Sequence, residues 1–220
     1  LKTAVPAPTE AVGRPLARVD RRGKFLLLRF DGSDAATAAT SATPATAEAT
    51  TGTSDLTFVV HLMQGGRLVP DATQSARPRN GIARWSFDDG TALLLTEAGK
   101  ERKAGVWVVA GNPLTQPPLD DLGIDADAVT RDQLATALRA KGTRLHTFLR
   151  EQHGIAGVGR MLANEICHRA RLSPFASTNK LTDDQIDALL AAIDSCIADA
   201  LAFERGLDRM SKSAERPGNV

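Results

Sequence analysis

The sequence predicts an α+β protein in which a partial antiparallel β-sandwich is followed by an all-helical domain. Two observations predict this order. Short runs rich in leucine, valine and aromatic residues fill the first half of the chain, and after Pro117-Pro118 apolar residues recur at helical spacing. The 220 residues suffice for one large or two small domains with a core. We therefore expect a β-sandwich domain at residues 1–118 and a helical domain at residues 119–220.

The β half contains a series of predicted strands, joined as a meander. Val, Leu, Phe and Trp favour a pleated, half-buried surface, and they dominate the runs at residues 24–30, 56–62, 84–87, 92–96 and 106–109. Asp89-Gly90 is a hairpin turn signal between two of these runs. Residues 33–54 form an Ala/Thr-rich tract that cannot bury enough apolar surface to offset its ordering entropy, so we expect a disordered insertion there.

The second half contains predicted helices separated by turn and proline signals. Apolar residues at helical spacing predict helices at residues 131–140, 143–152, 160–170 and 182–204. Thr182 and Gln185 have the spacing of a capping box, which predicts where the last helix begins.

Composition narrows the functional classes. The net charge of +1 gives no broad basic surface, so a nucleic-acid contact would have to come from local clusters of basic residues. Cys167 and Cys196 lack a C-x-x-C partner, which argues against a zinc site and a disulfide framework and favours a reducing, cytoplasmic setting. No apolar run reaches the ~20 residues of a membrane span, so we expect no membrane partner.

The most informative segment is the glycine-rich turn from Gly154 to Gly159, which runs into a predicted helix. Glycine permits tight turns and close approach of a ligand, and the start of a helix presents unpaired N–H groups and a positive dipole end. Arg160 adds a positive charge at the exit of the turn. These features favour a phosphate site of nucleic acid at Gly157, Gly159 and Arg160. A turn that caps two helices without a ligand would have the same sequence pattern.

Three motifs in order resemble the formamidopyrimidine-DNA glycosylase and endonuclease VIII family. They are residues 21–28 (RRGKFLLL), residues 61–68 (HLMQGGRL) and residues 155–165 with 171–175. The resemblance covers nearly the whole chain and implies a β-sandwich joined to a helix-two-turn-helix module. It also implies base excision from double-stranded DNA that carries a damaged base or an abasic site. The implied steps are base flipping, cleavage of the glycosidic bond through a Schiff base, and strand cleavage by elimination.

The family's nucleophile is an N-terminal proline amine followed by glutamate, and its C-terminus carries a zinc finger. Neither motif occurs in this sequence, and Pro6 is an internal imide. We therefore expect that the chain is an incomplete, inactive part of a longer enzyme, with no metal or cofactor of its own. A monomer is expected.

The resemblance assigns roles to single residues. Lys24 matches the family's lysine near the lesion and the DNA backbone, and His61 matches a histidine that contacts phosphate. A solvated strand-end lysine and a satisfied core histidine are the alternatives. Arg160 stands where the family has a phosphate-binding asparagine, and its longer guanidinium fork changes the contact geometry.

The residues that fill the gap left by the flipped base depart from the family. Gln64 stands at the family's methionine position, with Met63 one residue earlier, and Lys103-Ala104 replace an Arg-Phe pair. An apolar wedge offsets part of the unstacking cost, so its loss weakens that support and favours a different lesion preference. Arg102 and Lys103 are candidate DNA contacts or a solvated hairpin tip.

Two other functional classes are considered for this sequence. A catalytically inactive relative would bind damaged DNA through Lys24, His61 and the glycine turn. An RNA-binding unit could use the same turn, but a protein of that kind would be strongly basic and would have no use for the motifs at residues 21–28 and 61–68.

Overall fold

A computed structural model describes residues 1–3, 5–32, 54–99 and 101–208. The predicted insertion therefore lies outside the described residues, except for Ser54. The chain divides into two compact units. The first unit comprises residues 1–21 and 25–120, and the second comprises residues 22–24 and 121–220. Strands make up the first unit and helices dominate the second, so the predicted α+β fold class is confirmed.

The strands of the first unit form two antiparallel sheets. They are β1 (Leu16–Arg22), β2 (Phe25–Phe30), β3 (Leu56–His61), β4 (Gly66–Pro70), β5 (Gly81–Ser86), β6 (Ala92–Glu97) and β7 (Gly105–Ala110). One sheet has the order β1-β2-β3-β7 and the other has the order β4-β6-β5. Short 3₁₀ turns cover Pro8–Ala11 and Pro113–Thr115.

The two sheets pack face to face around one apolar core. Phe58 of β3 meets Trp85 of β5 edge to face, with ring centroids 5.8 Å apart, and meets Phe30 of β2 at 5.4 Å. Edge-to-face pairs add to the stabilisation from buried area. Leu28, Val60, Leu95, Val106 and Val108 complete the centre of this core. The packing of these side chains makes the first unit a β-sandwich.

The strand order corrects the predicted meander. The hairpin of β5 and β6 forms as expected, and the Asp89 carboxylate accepts hydrogen bonds from the N–H and the hydroxyl of Thr91 at its turn. However, β7 pairs with β3 in the other sheet, with Val59 opposite Trp107. This placement puts β3 between two strands, which is why β3 is buried along nearly its whole length.

The second unit contains four helices and a short parallel strand pair in its described residues. The helices are α1 (Arg131–Ala140), α2 (Leu145–Arg150), α3 (Arg160–Arg169) and α4 (Asp183–Arg205), and Thr178–Lys180 is a 3₁₀ turn. The pair is β8 (Ile124–Asp125) with β9 (Ile155–Ala156). None of the helices in the described residues is both long and apolar enough to cross a membrane.

Capping and burial explain where these helices begin and end. Thr182 caps α4 as predicted, because its hydroxyl accepts from the N–H of Gln185 and the Gln185 side chain accepts from the N–H of Thr182. The α2 helix is shorter than predicted. Gln152 has φ of +70°, a left-handed conformation that stops the helix. The inward faces meet in one core that includes Leu134, Leu138, Leu145, Leu149, Ile166, Ile186 and Ile193.

The two cysteines lie in this core, on α3 and α4. Burial raises the pKa of Cys167 to about 11 and also raises the pKa of Cys196. At pH 8 about one Cys167 thiol in a thousand is then ionised, and only the thiolate reacts rapidly. We expect negligible labelling by a disulfide reagent in native protein and complete labelling in guanidinium chloride. Fast labelling of native protein would contradict the placement of both thiols.

Candidate nucleic-acid interface

The glycine-rich turn is fixed by its packing. Ile155, Ala156 and Val158 have side chains that are fully buried in the second unit. Gly154 is required because a Cβ there would lie 2.5 Å from the ring of Phe148. Gly157 has φ of +103°, a conformation that side-chain-bearing residues rarely adopt. The turn therefore has one well-defined backbone path.

The turn leads into α3, where no side chain of the described residues caps the helix. Gly159 is the N-cap residue, and a Cβ built on it would have no atom of the described residues within 4 Å. No acidic residue lies in the first turn of α3, and Arg160 at its first position is exposed. Unpaired N–H groups, the helix dipole and an arginine together favour an anion at this end of α3.

Gln152 occupies one of the hydrogen-bond positions of the turn. Its Oε1 accepts from the N–H of Gly157 at 3.0 Å, and its Nε2 donates to the carbonyls of Arg150 at 2.8 Å and Val158 at 2.9 Å. The N–H of Gly157 is thus engaged within the chain. Gly157 shapes the turn, and the first N–H groups of α3 have no capping side chain among the described residues. Sequence reasoning missed Gln152.

The residues between β1 and β2 belong to the second unit with this turn. The Arg22 guanidinium donates to Asp125 Oδ1 at 2.6 Å, and the same oxygen accepts from the N–H of Gly23 at 2.7 Å. Arg22 also donates to the carbonyls of Leu122 and Gly123. Arg22 therefore anchors the segment at residues 22–24, whereas no carboxylate of the described residues anchors Lys24 in this way.

Gly23 brings this segment onto the glycine-rich turn. It is buried with φ of +56°, and a Cβ added to it would lie 3.3 Å from Cβ of Ala156 and 3.7 Å from the N atom of Gly157. No larger residue fits without displacing its neighbours. The next residue, Lys24, is therefore held beside the turn.

Lys24 is half-buried, and within the described ranges no carboxylate pairs with its ammonium group. Its pKa is lowered from the ordinary value, first by burial and second by the positive charge of Arg150. Both effects disfavour the charged lysine in the absence of an anion. The negative charge of a phosphate beside Lys24 would oppose both effects and favour the charged lysine. This position is therefore suited to an anionic ligand.

His61 lies in the first unit, at the end of β3. Its Nδ1 accepts a hydrogen bond from the N–H of Met63 at 2.9 Å, which places the ring proton of the neutral imidazole on Nε2. The ring packs edge to face on Phe25, with centroids 4.5 Å apart. The ring is thus oriented by the chain, with Nε2 as a hydrogen-bond donor.

Glu97 connects the two loops that carry the other candidates. Its buried carboxylate accepts from the N–H of Ala104 at 2.8 Å, and its Oε1 lies 3.3 Å from the position of a Cβ on Gly65. The preceding Met63 and Gln64 are exposed, and Met63 has φ of +53°. Sequence reasoning did not single out Glu97.

Arg102 and Lys103 lie on the exposed loop between β6 and β7. Lys103 forms an ion pair with Glu101 at 2.5 Å, and both side chains are largely solvated. Exposed pairs of this kind contribute little to stability. The loop therefore has the geometry of the solvated hairpin tip considered above, and both cations remain accessible.

The candidates fall into two groups by unit. The second unit brings together Lys24, Gly157, Gly159 and Arg160. The first unit carries His61, Met63, Gln64, Arg102 and Lys103. Among the described residues, no group of three or more His, Cys, Asp or Glu side chains could hold a metal ion.

Comparison with known proteins agrees with this architecture. The family model described as "Formamidopyrimidine-DNA glycosylase H2TH domain" matches residues 122–211. Relatives named formamidopyrimidine-DNA glycosylase include one from Wolbachia pipientis wMel, 26% identical over 86% of this chain and 62% of its own length. Another, from Mycobacterium avium strain 104, is 30% identical over 87% of this chain and 61% of its own length.

Solved structures share the fold. The MutM (Fpg) protein from Thermus thermophilus aligns with a TM-score of 0.68 at 24% identity, over 89% of this chain and 64% of its own. A formamidopyrimidine-DNA glycosylase of Lactococcus lactis, bound non-covalently to DNA containing an abasic site, aligns with a TM-score of 0.68 at 16% identity, over 86% of this chain and 65% of its own.

The chain spans about three fifths of the length of the curated relatives named above. The matched helical domain, the named relatives and the shared fold agree with one another and with the order of the three sequence motifs. In its helical domain, in its fold and over most of its sequence, the chain resembles the formamidopyrimidine-DNA glycosylase and endonuclease VIII family.

Proposed function

We propose that the whole protein acts in base-excision repair, as a DNA glycosylase with abasic-site lyase activity on double-stranded DNA. This proposal depends mainly on the Lys24 ammonium, which forms no ion pair with a carboxylate of the described residues. The Lys24 segment packs on the glycine-rich turn, which leads into the uncapped start of α3. A duplex offers phosphates at regular spacing, and helix N-termini and basic side chains are the groups that bind them.

In this proposal the chain positions the lesion strand. Lys24 and the start of α3 bind backbone phosphates on one unit, and Nε2 of His61 donates to a phosphate on the other. Removal of the base requires its extrusion from the stack, because the target carbon is unreachable inside the duplex. The Schiff-base amine is assigned to the family's N-terminal proline. The described residues do not fit the family's zinc ion, and zinc enters no step. We place this activity in a cytoplasmic monomer.

A second candidate, a relative that binds damaged DNA without cleaving it, is favoured by one observation. Ala104 stands at the position of the family's aromatic wedge, and it is buried with its N–H bonded to Glu97. It therefore offers no side chain to fill the gap left by a flipped base. Unstacking would then receive less compensation than in the family.

One experiment separates the two candidates. The protein expressed from its complete reading frame is incubated with labelled duplexes containing oxidised guanine, an abasic site or no damage. We expect strand cleavage at the two damaged sites and intact undamaged DNA. Tight binding of the abasic duplex without cleavage would support the binding protein. Equal affinity for all three duplexes, without cleavage, would contradict both.

Arg160→Ala tests the phosphate site at the start of α3. The substitution removes a charge-assisted contact while leaving the exposed helix start intact, so we expect about tenfold weaker binding of abasic-site DNA at moderate salt. Fluorescence anisotropy measures the affinity. Arg171→Ala, two residues beyond the end of α3, is the matched control. Unchanged affinity in Arg160→Ala would remove this residue from the interface.

A further inference from the structure

Arg150 is the last residue of α2, and the proposed function assigns it no role. It is exposed, and its positive charge contributes, after burial, to the lowered pKa of Lys24 in the same unit. Across the described part of the chain, its guanidinium has no acidic partner. Two cations thus lie near each other beside the glycine-rich turn without a carboxylate of the described residues to neutralise them.

Other arginines of the second unit are arranged differently. Each of the following lies within 3 Å of a carboxylate: Arg22 with Asp125, Arg131 with Asp187, Arg139 with Asp183, and Arg169 with Asp199. Acids of the same unit neutralise these four arginines, whereas Arg144, Arg160 and Arg171 have no such carboxylate among the described residues. Arg150 and Lys24 also lack such a pairing within the described ranges.

The backbone holds the two cations in place. Gln152 joins the carbonyl of Arg150 to the carbonyl of Val158, which ties the end of α2 to the turn. On the other side, Gly23 packs on Ala156, which ties the Lys24 segment to the same turn. These contacts hold the backbone of Arg150 and the backbone of the Lys24 segment against the same turn.

The proximity of two positive charges is electrostatically unfavourable in the protein alone and favourable when an anion lies between them. Like charges near each other repel, and a phosphodiester between them converts that repulsion into two attractive contacts. Arginine adds a planar fork that matches two phosphate oxygens, whereas lysine contributes a point charge. The two side chains are complementary in this respect.

We propose that Arg150 and Lys24 jointly bind one phosphodiester of the DNA backbone, which makes Arg150 a positioning residue for the lesion strand. This inference rests on the proposed function, because it assumes that the site receives DNA. It adds a contact that depends on the end of α2 and on Gln152.

The test compares Arg150→Gln, Lys24→Gln, the double variant and the control Arg139→Gln. Affinities for abasic-site and undamaged duplexes are measured across a range of salt concentrations. We expect Arg150→Gln to weaken binding to both duplexes about tenfold and to reduce the salt slope by about one. The double variant should lose less than the product of the single losses, because both residues serve one phosphate. Arg150→Lys should retain the salt slope.

The outcomes separate the two claims. Affinity and salt slope of Arg150→Gln equal to those of the wild type would overturn the shared phosphate, and so would fully multiplicative losses in the double variant. If the wild type binds damaged and undamaged duplexes equally and Arg150→Gln still weakens binding, the proposed function alone would be overturned. Absence of duplex binding by the wild type would overturn both. Unchanged circular dichroism of each variant confirms that the fold is retained.

Discussion

Lys24→Ala is expected to lower kcat/KM on damaged duplex DNA by about ten- to a hundredfold while sparing the fold. The loss corresponds to one charge-assisted hydrogen bond to phosphate in a partly buried position. The fold should persist because no carboxylate of the described residues depends on Lys24. Relief of the half-buried charge should raise the melting temperature slightly.

Single-turnover kinetics on an abasic-site duplex measure this effect, and thermal unfolding checks the fold. Lys180→Ala is the matched control, because Lys180 is an exposed lysine of the same unit. We expect the control to behave as the wild type. Wild-type rates in Lys24→Ala would remove the residue from the site, and a large loss of stability would assign it a structural role.

Asp125→Ala is expected to destabilise the second unit by about 2–3 kcal/mol and to weaken DNA binding as well. One carboxylate oxygen accepts from both Arg22 and the N–H of Gly23, so its removal takes away the carboxylate partner of a partly buried guanidinium and an acceptor of the Gly23 amide. Binding should fall because the same oxygen holds the segment that carries Lys24. The two effects have one cause.

Thermal unfolding should show a decrease in Tm of roughly 4–12 °C for a chain of this size. Asp125→Asn retains an acceptor for Gly23 but loses the charge, so we expect an intermediate Tm. Asp194→Ala, an exposed substitution on α4, is the control and should leave Tm unchanged. A wild-type Tm in Asp125→Ala would show that Arg22 and Gly23 are held by other contacts.

Local sequence patterns sufficed for most of the fold. The helix at residues 131–140, the capping box of α4 and the turn at Asp89-Gly90 depend on neighbours within a few residues, and all three form as predicted. Two strands were missed for physical reasons. β1 is a largely exposed strand at the edge of its sheet, rich in charged residues, and β4 contains glycine and proline, so neither has the apolar run of a central strand.

The site was less predictable, because its contacts join distant parts of the chain. The glycine-rich turn and Lys24 could be identified from motifs. The bond between Arg22 and Asp125, which spans more than a hundred residues, could not. Gln152 and Glu97 carry no motif of their own and act through backbone groups that only the folded chain brings near. The periodicity and spacing of residues in the sequence cannot identify such partners.

Covalent trapping tests the central claim most directly. The protein from its complete reading frame is mixed with duplex DNA containing an abasic site or oxidised guanine in the presence of borohydride, which reduces a Schiff base to a stable adduct. We expect a protein–DNA adduct with both duplexes and a reduced yield in Lys24→Ala. Tight binding of the abasic duplex with no adduct would contradict the proposed glycosylase and lyase activity and would leave a protein that binds damaged DNA without cleaving it.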